Sequence, residues 1–277
     1  MPEELQMKFK DDTKGKTIVL KLGGSVITNK KKLMVPKLKV INRLAKEIAD
    51  ANIEQLIVVH GGGGFGHPWA KQYKIKEGYK YPSQVEWFTR IHQAMLELNK
   101  LVVDALIRNN IAAFSVSPSS CIITKAGRIQ VFYDSAIVRL LEIGFVPVLF
   151  GDAVVDNELG FTILSGDQLV TALSAKFNAS RVIFGVDVDG LFTADPKTSK
   201  RAQLIRNITL PELKALIQSI EQAKATDVTG GMFGKIFELM VAIDVPIKTI
   251  IVNATKEGNI YKALREERVI GTVIEKE

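Results

Sequence analysis

Short β-branched runs that end in glycine, each followed by a stretch with helical spacing, recur along this chain. Such alternation restricts it to parallel strands joined by crossover helices. The first run, residues 17–22, closes on Gly23 and Gly24 and precedes a helix near residues 36–51. The second, residues 55–60, closes on four consecutive glycines. Residues 111–117, Val146–Phe150, Arg181–Val186 and Lys248–Asn253 complete the set, each apolar enough to be covered on both faces. Val85, Phe88, Ile91, Met95, Leu98, Val102, Ala105 and Leu106 recur at helical spacing and predict one long amphipathic helix over residues 84–108. Residues 151–164 and 122–131 read as hairpins, the latter turning at Ala126-Gly127. The expected fold is α/β: a three-layer α/β/α sandwich around a mainly parallel central sheet, with accessory β-hairpins.

At 277 residues, with no linker rich in proline, glycine or serine, the chain suits two lobes fused through one sheet. Hydrophobic residues at 47% and charged residues at 24% are enough for a sizeable core. Residues 1–16 are the exception, lysine-rich and without periodicity or a signal-peptide core, and read as a flexible or lightly docked extension. No window offers the roughly 18 apolar residues of a membrane span, and the single cysteine, Cys121, excludes an internal disulfide framework. A soluble cytoplasmic protein is expected, with Cys121 in a packing role. The net charge of +7 suits anionic partners, nucleic acid or phosphorylated metabolites alike.

The segment His60-Gly61-Gly62-Gly63-Gly64-Phe65-Gly66-His67-Pro68 stands between a strand and a helix. Glycine is costly in entropy and is retained where backbone approaches a ligand or φ is positive, and N–H groups opening a helix attract anions. Two familiar patterns almost fit. Gly61, Gly63 and Gly66 satisfy the dinucleotide fingerprint, with Glu86 near the place of its ribose acid. Gly61 and Gly66 have P-loop spacing, but His67 and Pro68 stand where that loop needs lysine and a hydroxyl. What separates this chain from both is a second glycine turn, Lys21-Leu22-Gly23-Gly24-Ser25, followed by Lys30. A third candidate, Asp227-Val228-Thr229-Gly230-Gly231-Met232-Phe233-Gly234-Lys235, precedes another helical stretch. Parallel strands bring such loops together at their carboxyl ends, where open α/β sheets bind ligands.

At these residues the chain resembles the amino-acid-kinase superfamily over roughly residues 16–274. Ser165-Gly166-Asp167 and the segment from Asp187 to Pro196 match features shared across that superfamily. Val26-Ile27-Thr28-Asn29-Lys30, the loop ending Phe65-Gly66-His67, and Asp227 to Met232 look most like the isopentenyl phosphate kinases. Gly64 departs from the pattern, since that family usually has serine there. The resemblance implies an acceptor lobe over residues 17–177, a nucleotide lobe over residues 178–277, ATP with its Mg2+, and a homodimer. It implies phosphorylation of isopentenyl phosphate to the diphosphate; a fosfomycin-kinase-like phosphonate kinase is the alternative, and a nucleic-acid-binding module has little support.

Joining two phosphates demands alignment and charge neutralisation more than a base, because the acceptor oxygen is already ionised. By resemblance, Lys21 and Lys30 face the transferring phosphoryl group. Lys21, Gly23, Gly24, Ser25, Asp187, Asp189, Gly190, Phe192, Gly231 and Lys235 serve the nucleotide. Gly62, Gly63, Gly166 and His67 approach the acceptor, and Asp167 organises the lysines. Asp167 reads equally as a helix N-cap, and His67 also as a histidine packing at the helix start. His60 reads as a structural group, while His92 could line a pocket or simply be partly exposed. Phe88, Ile91 and Met95 are the expected wall for an apolar tail, and magnesium is expected on the phosphate oxygens.

Overall fold

The computed structural model describes residues 17–29, 32–193, 201–222 and 247–275. The readings placed on residues 1–16, on Lys30, and on the third glycine segment with Gly231 and Lys235 lie outside them.

The central sheet has eight strands. In chain order they are β1 (Ile18–Leu22), β2 (Leu56–His60), β3 (Ala113–Ser115), β6 (Val146–Phe150), β9 (Arg181–Val186), β12 (Asn207–Thr209), β13 (Lys248–Asn253) and β14 (Gly271–Glu275). Across the sheet the order is β12-β14-β13-β9-β1-β2-β6-β3. Strands β3, β6, β2, β1, β9 and β13 run parallel, and the β14–β12 pair opposes them. A smaller sheet, ordered β5-β4-β7-β8, joins β4 (Ile122–Lys125) and β5 (Arg128–Phe132) to β7 (Asp152–Asp156) and β8 (Gly160–Leu164). A short ribbon pairs β10 (Leu191–Phe192) with β11 (Leu204–Ile205).

Strand alternation sorts the core into two layers. Ile18, Leu20 and Leu22 of β1 pack with α2 (Leu38–Ala51), α4 (Ser83–Arg108) and the helix Asn259–Leu264. Val19 points the other way, into the layer containing Ile137 and Leu141 of α5 (Ser135–Glu142), Leu169 and Leu173 of α6 (Gly166–Lys176), and Leu213 of α7 (Leu210–Gln222). The three expected layers are therefore present. Two shorter helices, α1 (Gly24–Ile27) and α3 (His67–Gln72), follow β1 and β2.

Two expectations need correction. The run at residues 111–117 yields a strand of three residues on the sheet edge, where Phe114 is 49% exposed and not covered on both faces. The apolar stripe of α4 does not include Val85, which is 52% exposed. Gln84 is buried in its place: its amide accepts from Lys80 N at 2.7 Å and donates to Tyr73 O at 3.0 Å. Those bonds satisfy a core-facing polar group and turn Val85 outward.

Long-range polar ties hold helices and hairpin turns in place. Glu47 on α2, buried, accepts from Ile260 N at 3.0 Å and Tyr261 N at 3.3 Å, meeting the unpaired donors that open the helix Asn259–Leu264. In the smaller sheet, burial opposes ionisation of Asp156. Bonds from Leu159 N, Gly127 N, the Thr124 hydroxyl and Glu158 N nevertheless hold its pKa down to about 2. One carboxylate thus clasps both hairpin turns.

Candidate active site

The carboxyl ends of β1, β2, β6, β9 and β13 open on one edge of the sheet, and the glycine turns meet there. Gly23 N donates to Gly185 O at 2.8 Å, and Gly61 N donates to Leu22 O at 3.0 Å. The turns after β1 and β2 lie backbone to backbone: a Cβ on Gly24 would strike Gly63 N, and one on Gly61 would stand 2.9 Å from Gly24 N. Gly63 has φ +50°, and a Cβ there would collide with the Thr28 hydroxyl. Gly62 and Gly66 face Met95 of α4 instead.

Lys21 follows the parity of Val19, so its side chain enters the α6 layer just where α6 begins. There it forms a buried ion pair with Asp167, with side-chain exposures of 8% and 11%. The N-cap of α6 is Ser165, whose hydroxyl accepts from Gln168 N at 3.2 Å. Asp167 is therefore free of the capping role that the sequence allowed it, and its charge is directed to Lys21. Gly166 sits beneath this pair: a Cβ there would lie 3.4 Å from His60 O and 3.5 Å from Lys21 Cε. The aromatic ring of Phe184 lies 5.8 Å from the Lys21 ammonium.

His67 opens α3 with an exposed side chain, and its N–H donates to Gly63 O at 3.3 Å. His60 is fully buried and stacks on Phe150 at 5.6 Å. It hydrogen-bonds Asn99 Oδ1 through Nε2 at 3.1 Å, and burial pushes its pKa down to about 4. This is the structural role expected of it. His92 contacts the buried Asp152 at 2.9 Å, and that hydrogen bond raises its pKa.

On the far side of β1, the turn after β9 carries Asp187, Asp189 and Gly190, and Phe192 lies in β10. The carboxylate of Asp189 accepts from Asn253 Nδ2 at 2.9 Å and pairs with Lys256 at 2.7 Å; the Lys256 contact foremost lowers its pKa. Gly190, with φ +145°, passes so close to Thr272 that a Cβ would lie 2.6 Å from its hydroxyl. Thr272 in turn accepts from Leu191 N at 2.7 Å. One edge of the sheet thus holds a cation at a glycine junction, flanked by an exposed histidine and an anchored aspartate-glycine turn.

A model of the amino acid kinase family matches residues 16–253. The chain belongs to the amino acid kinase family. It is 41% identical over 266 residues to an isopentenyl phosphate kinase of Methanothermobacter thermautotrophicus, spanning 93% of this chain and 98% of that one. A solved isopentenyl phosphate kinase superposes with a TM-score of 0.81 at 38% identity, covering 93% of this chain and 99% of the other. An isopentenyl phosphate kinase substrate complex superposes with a TM-score of 0.76 at 28% identity, covering 93% and 100%.

Several supports of this amino acid kinase's candidate site emerge only in three dimensions, including the role of Thr28, whose motif did not disclose its partners. Lys37 donates to Ser25 O at 2.8 Å, placing a further cation beside the first glycine turn. Thr28, Asn253 and Thr272 each hold a loop of the site from another element. Polar residues at strand and helix ends give such parts away only weakly. Gly64, the departure from the expected serine, has a packing reason: a Cβ would stand 2.6 Å from Asn29 O and 2.7 Å from Lys32 O. Among the described residues, no group of three or more histidine, cysteine or acidic side chains is placed to hold a metal ion, and no helix is long and apolar enough to cross a membrane.

Proposed function

We propose that this amino acid kinase transfers the γ-phosphoryl group of ATP to isopentenyl phosphate, giving isopentenyl diphosphate and ADP. The observation that carries the reading is the Lys21–Asp167 pair at the junction of two glycine turns, in a chain similar along nearly its whole length to isopentenyl phosphate kinases. A phosphate oxygen of the acceptor attacks the γ-phosphorus, the bond to the β–γ bridging oxygen breaks, and ADP leaves with that electron pair. The acceptor oxygen is ionised beforehand, so no side chain has to remove a proton. What the protein supplies is alignment and positive charge.

In this reading Lys21 spans the β and γ oxygens and Asp167 holds its ammonium in place. Lys30 joins Lys21 on the transferring group, and Gly231 and Lys235 approach the nucleotide phosphates. Gly23, Gly24 and Ser25 present backbone to those phosphates from the uncapped start of α1. Asp187, Asp189, Gly190 and Phe192 form the nucleotide-side wall. Gly62, Gly63 and Gly166 let the acceptor phosphate approach, and His67 donates a hydrogen bond to it. Ile91 is buried in an apolar cluster with Ile75, Ala153 and Phe161, and Phe88 packs on its flank, which suits a wall for a five-carbon tail. Met95 supports the glycine turn. Asp167 is committed to Lys21, so the donor set fits a magnesium ion carried on the ATP phosphates rather than a protein cage. Magnesium bound there would neutralise phosphate charge. A cytoplasmic homodimer, with residues 17–177 and 178–277 as acceptor and nucleotide lobes, completes the proposal.

The test is coupled ADP release with isopentenyl phosphate, fosfomycin, glutamate derivatives, carbamate and UMP. Turnover is expected with isopentenyl phosphate. Turnover with fosfomycin alone would assign the site to a phosphonate acceptor, and no turnover with isopentenyl phosphate rejects the reading.

A further inference from the structure

Thr28 is completely buried at the point where α1 ends. Its hydroxyl donates to Gly24 O at 2.7 Å and accepts from Gly64 N at 2.9 Å. A single oxygen therefore joins the turn after β1 to the turn after β2. The strand ladder registers these strands only as far as Leu22 opposite His60. Past that point the two turns are held together by the bond from Gly61 N to Leu22 O and by Thr28.

The surroundings leave this contact little freedom. A Cβ at Gly63 would collide with the Thr28 hydroxyl, and the Asn29 and Lys32 carbonyls press on Gly64 from its other side. Gly24 O also accepts from Thr28 N at 2.9 Å, so it keeps a partner if the hydroxyl is lost. Gly64 N would lose the acceptor it uses. Removing the hydroxyl thus loosens the spacing of the two turns and also leaves the buried Gly64 N–H unsatisfied, at some cost in stability.

We propose that Thr28 is a positioning residue that sets the separation of the donor and acceptor phosphates by pinning the glycine turn of β1 to that of β2. The inference rests on the kinase reading above, in which the first turn holds nucleotide and the second holds acceptor. A side chain that touches neither ligand but fixes the distance between their cradles acts on the reacting geometry. Misplacement by about 1 Å is enough to slow such a reaction on the order of 100-fold. Each turn still binds its own ligand, so KM for either substrate should barely move.

Steady-state kinetics of Thr28→Val and Thr28→Ser test this with ATP and isopentenyl phosphate. Valine keeps the shape and loses the hydroxyl; kcat should fall about 30- to 100-fold, with each KM within about threefold of wild type. Serine keeps the hydroxyl and should retain at least about a third of wild-type kcat. A valine variant with wild-type kcat, a serine variant as slow as valine, or a loss expressed in KM would overturn the bridge. A valine variant that does not fold would assign Thr28 to stability and overturn it too. Absence of turnover in the wild-type chain would instead sink the kinase reading and the bridge together, which keeps the two failures apart.

Discussion

Lys21 on β1 and Asp167 at the start of α6 lie 146 residues apart in the chain and share one buried ion pair. The pair sets a cation against the sheet edge where two glycine turns touch, and its carboxylate limits where that cation can go.

Replacing Asp167 by asparagine keeps the shape and removes the charge. We expect kcat to fall about 100-fold or more, with smaller changes in either KM, because a misplaced ammonium is felt where charge develops in transfer. Stopped-flow or coupled ADP release measures this, and a variant within about threefold of wild type would deny Asp167 its role.

His67 begins α3 with its side chain exposed beside the second glycine turn. His67→Ala should raise KM for isopentenyl phosphate about tenfold while leaving KM for ATP nearly unchanged. The reverse pattern would move His67 to the nucleotide.

At Gly64 the Asn29 and Lys32 carbonyls leave no room for a side chain. Gly64→Ser, although it restores the residue expected from the resemblance, should lower the melting temperature by about 5 °C through overpacking. Calorimetry showing an equal or higher melting temperature would mean that residues 29–32 yield easily.

Burial lowers the pKa of His60 from 6.5 to about 4. Below pH 6.5 the unfolded chain takes up a proton that the folded one refuses. Its contribution to stability is therefore complete above pH 6.5 and declines as pH falls towards 4, by about 3 kcal/mol in all. Denaturant titrations across that range should show a flatter slope in His60→Gln. His92 works in the opposite sense: its bond to Asp152 raises its pKa, so its contribution is present below 6.5 and is lost as pH rises through the raised value. An unchanged slope in His60→Gln would place the acid sensitivity elsewhere.

Asn253 holds Asp189 from the end of β13. Asn253→Ala should raise KM for ATP about threefold to tenfold and spare the acceptor, since Lys256 still holds the carboxylate. A change confined to the acceptor KM would contradict the lobe assignment.

Most of the architecture was legible because its signals are local. The β-branched runs at Val146–Phe150, Arg181–Val186 and Lys248–Asn253 form strands with those bounds, and Ala126-Gly127 turns a hairpin as its composition required. Val85 falls outside the stripe because hydrophobic periodicity takes no account of a buried glutamine, Gln84, hydrogen-bonded to Lys80 N and Tyr73 O. Glycine density after β2 points to ligand approach or positive φ, yet Gly61, Gly63 and Gly64, with Gly24 after β1, also answer to neighbouring backbone. Contacts of that kind join segments far apart in sequence. Thr28 and Asn253, whose partners lie 36 and 64 residues away, share the same obscurity.

The position of β1 bears on how the molecule is made. Its partners are β2, available early, and β9, which begins only at Arg181. All five residues of β1 are buried in the finished fold. Until β9 has left the ribosome, the nascent protein carries an unpaired apolar edge through the middle of its future core. A chain interrupted before that point keeps the edge exposed, and with it a template for self-association.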